Sequence, residues 1–371
     1  MGYTIGYPFL GGTEKDLQLD FTKMTLDEIE MRAPYLPAEW ALQSGIQLTW
    51  PHAQTDWAYL LDEVEQCFIR IAREIAAREK LLIVTPKPEK VRKHISDSVN
   101  MENVRFFACA TNDTWARDHG AITLIDSDGM TLLDFTFNGW GLKFAADKDN
   151  QITRHLAKSG ILQGRYANRL GFVLEGGSIE SDGMGTLLTT SECLLSPNRN
   201  GQMNKADIEE YLRSTFHLQR ILWLDNGYLA GDDTDSHIDT LARFCSPDTI
   251  AYVQCTNPED EHYEALRRME EQLKTFRTPG GAPYRLLPLP MPDAIVIDGE
   301  RLPATYANFL IMNEAVLYPT YGQPENDARA HEVLQTAFPK HEIVGIDCQV
   351  LIRQHGSLHC VTMQYPAGVI V

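Results

Sequence analysis

The chain is poor in basic charge: 33 Lys and Arg stand against 51 Asp and Glu among 371 residues, a formal net charge of −18. Phosphate binding needs concentrated positive charge, so a general nucleic-acid binder is excluded and no nucleic-acid partner is expected. The summed field instead favours cationic small molecules, weakly. Long apolar runs are also missing. No stretch reaches the ~18 residues that a membrane helix needs, so no membrane partner is expected. The opening MGYTIGYPFLGG has no Lys or Arg and no long apolar core. It does not read as a secretion signal, and a cytoplasmic address is the expectation. Cysteine is sparse and scattered. Cys67, Cys109, Cys193, Cys245, Cys255, Cys348 and Cys360 are odd in number and include no C-x-x-C. That argues against a disulfide framework and against a zinc–thiolate site.

What is present is an ordinary globular composition, 43% hydrophobic and 23% charged, able to bury a core. Apolar residues recur at helical spacing over Trp57–Lys80 (Leu60, Leu61, Val64, Phe68, Ile71, Ile75) and run into the strand-like Leu81–Thr85. The same helix-then-strand phrase recurs: Asn150–Lys158 to Phe172–Leu174, Asn204–Phe216 to Ile221–Leu224, Glu259–Phe276 to Tyr284–Leu289, and Asn326–Phe338 to Glu342–Ile346. Between them lie β-rich stretches at Val104–Ala110, Ala121–Phe137, Gly185–Thr190, Thr249–Cys255 and Tyr306–Pro319. Five such units predict an α/β chain built on a repeated module. The competing fold is a doubly wound parallel sheet, which would carry a glycine-rich phosphate loop after its first strand. Pro86-Lys87-Pro88 follows Leu81–Thr85 instead, so a nucleotide cofactor is not expected.

Four segments are richer in reactive side chains than their apolar surroundings explain: Asn112–Gly120, Leu174–Ser178, Gly231–Asp239 and His355–Cys360. Each alone has an ordinary structural reading. Asn-Asp and Asp-Gly runs make turns, and most histidines are structural or exposed. His237-Ile238-Asp239 could be a strand that places His and Asp on one face. Together they are the parts of a thiol-nucleophile site: a Cys, a His and several carboxylates, Asp118, Glu175 and Asp239 among them. Paired carboxylates suit a guanidinium, whose planar N–H forks they bind bidentately.

At these residues the chain resembles the agmatine deiminase and bacterial peptidylarginine deiminase family. TWARD, LEGGSI, GTLLTTSECLLSPNRN, DDTDSHID, RLPATYANF and HGSLHC occur in the family's order, with Pro37-Ala38-Glu39-Trp40 and Trp50-Pro51-His52 ahead of them. The resemblance implies a five-bladed α/β propeller with pseudo-fivefold ββαβ modules around a central pocket, in one catalytic domain spanning 36–371. Residues 1–35 read as an extension without assigned function. It also implies hydrolytic deimination of a small cationic guanidine, with no metal or organic cofactor, in a protein that is usually a homodimer. Carried over by motif, Cys360 is the nucleophile, Asp118 and Asp239 grip guanidinium nitrogens, and His237 is the general acid and base. Glu175 would hydrogen-bond His237 and raise its proton affinity, and a cationic His237 would lower the Cys360 pKa. Trp115 and Trp140 could stack on the substrate or belong to the core. Asn308 matches a position near the pocket, and Asp233 or Asp232 would meet a distal ammonium. Arg117 reads as a structural ion-pair partner, and His119, His355 and His359 as pocket lining.

Three features favour agmatine over an arginine residue: no secretion signal is read, the charge is acidic, and Phe137–Lys143 has no arginine where the resemblance implies that the peptidylarginine branch carries carboxylate-binding arginines, although Lys143 could serve a carboxylate. The chain departs from the usual agmatine deiminase pattern beside the reacting centre. Gln354–Cys360 stands where Gly-Gly-Gly-Asn-Ile-His-Cys is usual, Asp235-Ser236 where Asn-Gly is usual, and His119 where Thr is usual. Peptidylarginine or free-arginine deimination is the alternative. A metal site or an inactive scaffold is remoter. Asp232, Asp233, Asp235, His237 and Asp239 are the one ligand-rich cluster and come from a single loop, while none of the five catalytic candidates is missing.

Overall fold

The computed structural model describes residues 34–371. The expected extension therefore lies outside the described residues, apart from Pro34 and Tyr35. β1 (Gln43–Thr49), β2 (Lys80–Thr85) and β3 (Val104–Ala108) lie parallel. Parallel neighbours need a long crossover. Helix Leu61–Ala76 supplies the first, with Val64, Phe68, Ile71 and Ile75 recurring on one face and fully buried. β4 (Ile122–Asp126) and β5 (Gly129–Thr136) then form an antiparallel hairpin, and helix Ile152–Ser159 carries the chain to β6 (Arg165–Val173), parallel to β5.

That order repeats. β7 (Ile179–Ser181) and β8 (Thr186–Thr190) are antiparallel, and helix Lys205–Phe216 leads to β9 (Arg220–Leu224), parallel to β8. The helix starts where the sequence says it should. Asn204 and Asp207 form a reciprocal capping box at its first turn. β10 (Ala242–Ser246), β11 (Thr249–Gln254), helix Tyr263–Thr275 and β12 (Arg285–Pro290) make the next unit. After a small hairpin of β13 (Val296–Ile297) and β14 (Glu300–Arg301) come β15 (Leu310–Ile311), β16 (Ala315–Thr320), helix Pro324–Ala337 and β17 (Glu342–Asp347). β18 (Thr362–Pro366) returns antiparallel to β1, so the chain's last strand completes its first sheet.

The result is a mixed α/β fold. The five helix–strand units read from the sequence are all present, and no sheet among the described residues exceeds four strands, which excludes the doubly wound alternative. Two local readings change. β6 begins well before the expected Phe172, because its leading residues Arg165–Gly171 are mostly exposed and carry no apolar signature. His237-Ile238-Asp239 is not a strand. Ile238–Thr240 is a single 3-10 turn, closed by the Thr240 and Leu241 N–H groups on the carbonyls of His237 and Ile238. No described helix is long and apolar enough to cross a membrane.

Candidate active site

The reactive residues share one place in the repeated unit, the segment leading into the first strand of each sheet. Asp118 lies ahead of β4, Glu175 and Gly177 ahead of β7, His237 and Asp239 ahead of β10, Asn308 ahead of β15, and Cys360 ahead of β18. The fold thus brings five distant segments together with one device. Gly177 marks where they meet. A Cβ on it would lie 2.7 Å from Nδ1 of His237, 2.9 Å from Oδ1 of Asp118 and 3.0 Å from Oδ2 of Asp239. Only glycine fits there, and its own N–H donates to Asp118 Oδ1 at 3.0 Å.

Cys360 Sγ is 4.0 Å from Asp239 Oδ2 and donates to Asn308 Oδ1 at 3.4 Å. The same Asn308 oxygen accepts from the backbone N–H groups of His359 (2.8 Å) and Cys360 (3.3 Å). Asn308 therefore holds the nucleophile's loop from behind, a supporting position beside the one expected for substrate contact. Burial pushes the Cys360 thiol well above its ordinary range, and the Asp239 and Asp118 charges push the same way.

Burial likewise takes His237 down to about 3, with Asp239 opposing and Arg199 reinforcing the fall. This overturns the expectation of a cationic His237: the protein's own groups leave it neutral. The expected hydrogen bond from Glu175 is not made either. Both Glu175 oxygens accept from Nε of Arg199, at 2.9 and 3.1 Å, in a pair with no side-chain exposure. Arg199 lies in the Ser196–Asn200 segment, where nothing in a lone arginine announces a carboxylate partner. His237 Nδ1 stands 3.7 Å from Asp118 Oδ1, and Nε2 is buried without a hydrogen-bond partner among the described residues.

The two carboxylates differ in their surroundings. Asp118 accepts from Trp140 Nε1 at 2.9 Å as well as from Gly177, and burial with the facing Asp239 charge lifts it to about 8. Asp239 is raised by burial too, yet the His359 hydrogen bond and charge outweigh this and hold it below the usual carboxylate range. His359 Nδ1 lies 2.7 Å from Asp239 Oδ2, while Asp239 Oδ1 is buried and unpartnered among the described residues. His359, expected only to line the pocket, is instead beneath it. So is Glu39 of the Pro37–Trp40 motif, which pairs with Arg117 at 3.0 Å and with Arg243. Arg117 is thus the structural partner expected.

A cleft of about 310 Å³ opens over Cys360 and Asp118, walled by Trp115, Trp140 and Phe137 and flanked by Asp56, Asp113, Asp149 and Asp233. Trp115 packs on Trp140 at 6.3 Å between centroids, and Gly356 presses on Trp115 so closely that a Cβ would reach 2.1 Å from its ring. Of the glycines usual in this motif, the one that sterics require is kept. His355, which adopts φ 65° where another glycine is usual, faces the cleft mouth with Gln354. His119 is turned away, buried against Thr49. Asp235 and Ser236 both take left-handed backbone (φ 63° and 62°), which Asn-Gly adopts readily. Here Lys143 and Arg199 hold Asp235, each at 2.6 Å, and Asp232 caps the Ser236 N–H. Lys143 is therefore engaged by the Asp233–Asp235 turn and does not offer itself to a carboxylate. Asp232 and Asp235, engaged in the turn and its ion pairs, do not converge with His237 as a metal-ligand set.

A family model described as Porphyromonas-type peptidyl-arginine deiminase matches residues 35–366. A solved Porphyromonas gingivalis protein provisionally named arginine deiminase is 52% identical, with a TM-score of 0.86 over 91% of this chain and 100% of that one. C. jejuni agmatine deiminase, solved as a Cys-to-Ser variant with substrate bound, is 40% identical, with a TM-score of 0.84 over 91% and 97% of the two chains. Agmatine deiminase of Stutzerimonas stutzeri (strain A1501) is 32% identical over 363 residues, 91% of this chain and 96% of that protein.

Proposed function

The chain belongs to the Porphyromonas-type peptidyl-arginine deiminase family, and from that premise we propose that it hydrolyses a C–N bond of a small cationic guanidine through Cys360. The observation that carries this reading is the convergence of His237, Asp118 and Asp239 on the Gly177 backbone with the Cys360 thiol beside them. We take the five like-ordered sheets as the blades of an α/β propeller, because each delivers a site residue from the same position ahead of its first strand.

The chemistry starts from a neutral thiol and a neutral imidazole. A guanidinium arriving between Asp118 and Asp239 brings the positive charge that both the buried carboxylates and the thiol lack. Beside it the thiol proton becomes easier to lose. Sulfur attacks the central guanidinium carbon as His237 takes that proton, and Asp118 and Asp239 hold the N–H groups. The imidazolium then protonates the departing nitrogen, the C–N bond breaks, and ammonia leaves an S-alkylthiouronium on Cys360. Neutral His237 next takes a proton from water as the oxygen attacks the same carbon; the C–S bond then breaks, the adduct's hydroxyl proton passes to solvent, where the released ammonia takes it up as ammonium, and the ureido product leaves. The proton on His237 returns to sulfur. Glu175 acts at one remove, by fixing Arg199 beside His237.

We propose agmatine as the substrate, giving N-carbamoylputrescine and ammonia. Support comes from the acidic flanks of the cleft, the engaged Lys143, and the substrate-bound C. jejuni agmatine deiminase. Asp233, which lines the mouth beside His355, would meet the distal ammonium, and Trp115 and Trp140, which wall the cleft, would pack on the alkyl chain. Ammonia release from agmatine, free arginine and a blocked arginyl peptide tests this, with Cys360→Ala as control. Turnover of agmatine in preference to both others is the expected result. Preference for arginine would support the citrulline-forming alternative, and turnover by Cys360→Ala would end the thiol reading.

A further inference from the structure

His359 immediately precedes the nucleophile, and both of its ring nitrogens face carboxylates. Nδ1 is 2.7 Å from Asp239 Oδ2, and Nε2 is 2.8 Å from Oε1 and 3.1 Å from Oε2 of Glu39. A neutral imidazole has one N–H and one lone pair, so it satisfies one of these neighbours and sets a lone pair against the other; an imidazolium satisfies both. Arg243 brings an N–H within 3.1 Å of Nε2, but the Glu39 oxygen is nearer, and that guanidinium nitrogen is also bonded to Glu39. Burial, with the charges of Arg117 and Arg243, draws the ring's proton affinity below the ordinary imidazole value, and Glu39 and Asp239 oppose this; the hydrogen-bond geometry argues the other way. With a carboxylate oxygen on each nitrogen, the proton stays.

We propose that His359 is a positioning residue: bridging Asp239 and Glu39 as an imidazolium, it keeps Asp239 an aimed anion with Oδ2 occupied and Oδ1 free for a guanidinium N–H. This deepens the proposed reaction and rests on Asp239 receiving the guanidinium. The main chain fixes the ring from its other side, since the His359 N–H donates to Asn308, the residue that also holds Cys360. One histidine thereby ties the orientation of the anion to that of the nucleophile. It also explains why the short Pro37–Trp40 motif, remote from Cys360 in the chain, accompanies the catalytic segments: its Glu39 is the far anchor of the bridge.

The test is histidine-selective nitrogen-15 labelling of the full chain and long-range proton–nitrogen correlation, without substrate. The signal lost in His359→Gln is the one to read. Two protonated ring nitrogens from pH 6 to 8 are expected, and one of them losing its proton in Glu39→Gln. A wild-type ring with a single protonated nitrogen at pH 7, Nε2 accepting from Arg243, overturns the proposal. Because this readout needs no turnover, it stands apart from the identity of the substrate. Should His359→Gln fail to fold, Glu39→Gln assigns the signal by moving it. Where His359→Gln does fold, its KM for the guanidine should rise about tenfold or more with kcat moving less, and the acidic limb of kcat/KM should shift to higher pH. Unchanged KM and limb would reduce His359 to a structural role.

Discussion

Asp118 and Asp239 approach the same point beside Gly177, and both are buried, yet the protein handles their charges in opposite ways. Asp118 is met by two neutral donors, the Trp140 indole and the Gly177 amide, and its proton affinity climbs to about 8. Asp239 is met by His359, with Arg243 behind, and stays below the ordinary carboxylate range. Two bare anions this close in a dry pocket would repel each other strongly. In the proposed reaction, backing one with a cation and leaving the other to neutral dipoles would make a clamp with one standing charge, the second developing as a cationic substrate arrives. Such a clamp would select for positive charge at the reacting end without carrying the cost of two unpaired buried anions.

The asymmetry is breakable by experiment. The largest effect should come from Asp239→Asn, which removes the standing anion and leaves the charges beneath it unmatched. Loss of kcat/KM by roughly a thousandfold is expected. Asp118→Asn should cost about tenfold less, since only the second charge is removed; equal losses in the two variants would dissolve the comparison. Next comes the pH profile. kcat/KM reports the free enzyme, so its acidic limb should lie near 8, where Asp118 ionises. In whatever activity Asp239→Asn retains, the limb should fall to lower pH, because a like charge has gone. A limb that stays put would deny the coupling. Trp140→Phe deletes one donor to the Asp118 carboxylate and should raise the limb, at a loss of about 1 kcal/mol in barrier terms.

The remaining effect is on stability. The Asp118 pKa in the fold is above that of an exposed aspartate, about 4, so this group favours the fold most at low pH and progressively less as pH rises from about 4 through about 8. Replacing it by Asn should remove that slope. Denaturant melts of wild type and Asp118→Asn should therefore move in the variant's favour between pH 5 and 9, by roughly 1 kcal/mol for each pH unit of the window. Parallel curves would place the Asp118 pKa in the ordinary range.

Sequence and structure agree most where periodicity is strong. Helix Leu61–Ala76 and the runs into β2, β9 and β16 are visible because one face or the whole segment is apolar. The leading strands β7 and β15 are only three and two residues long and carry no period to detect. The site divides in the same way. Cys360, His237, Asp118 and Asp239 stand in short, dense polar motifs, and their reactive side chains are themselves the signal. Their supports are not of that kind. Glu39, Arg199 and Arg243 act from 24 to 320 residues away, and only three-dimensional pairing reveals them. For the same reason Glu175 was legible as a site residue, but its partner Arg199 was not. The glycine pattern near Cys360 shows the limit from the other side. Gly356 is obligatory because Trp115 lies against it, whereas His355 can hold a left-handed backbone and so replace a glycine.

The account's central claim is that a guanidinium held between these two carboxylates is cut by Cys360. Acid-quenched mass spectrometry during turnover of agmatine reads it most directly. The account predicts an amidino adduct on the Cys360 peptide that rises and decays with turnover and is absent from Cys360→Ser. Ammonia production with no adduct, or an adduct on Cys193 or another thiol, would contradict it.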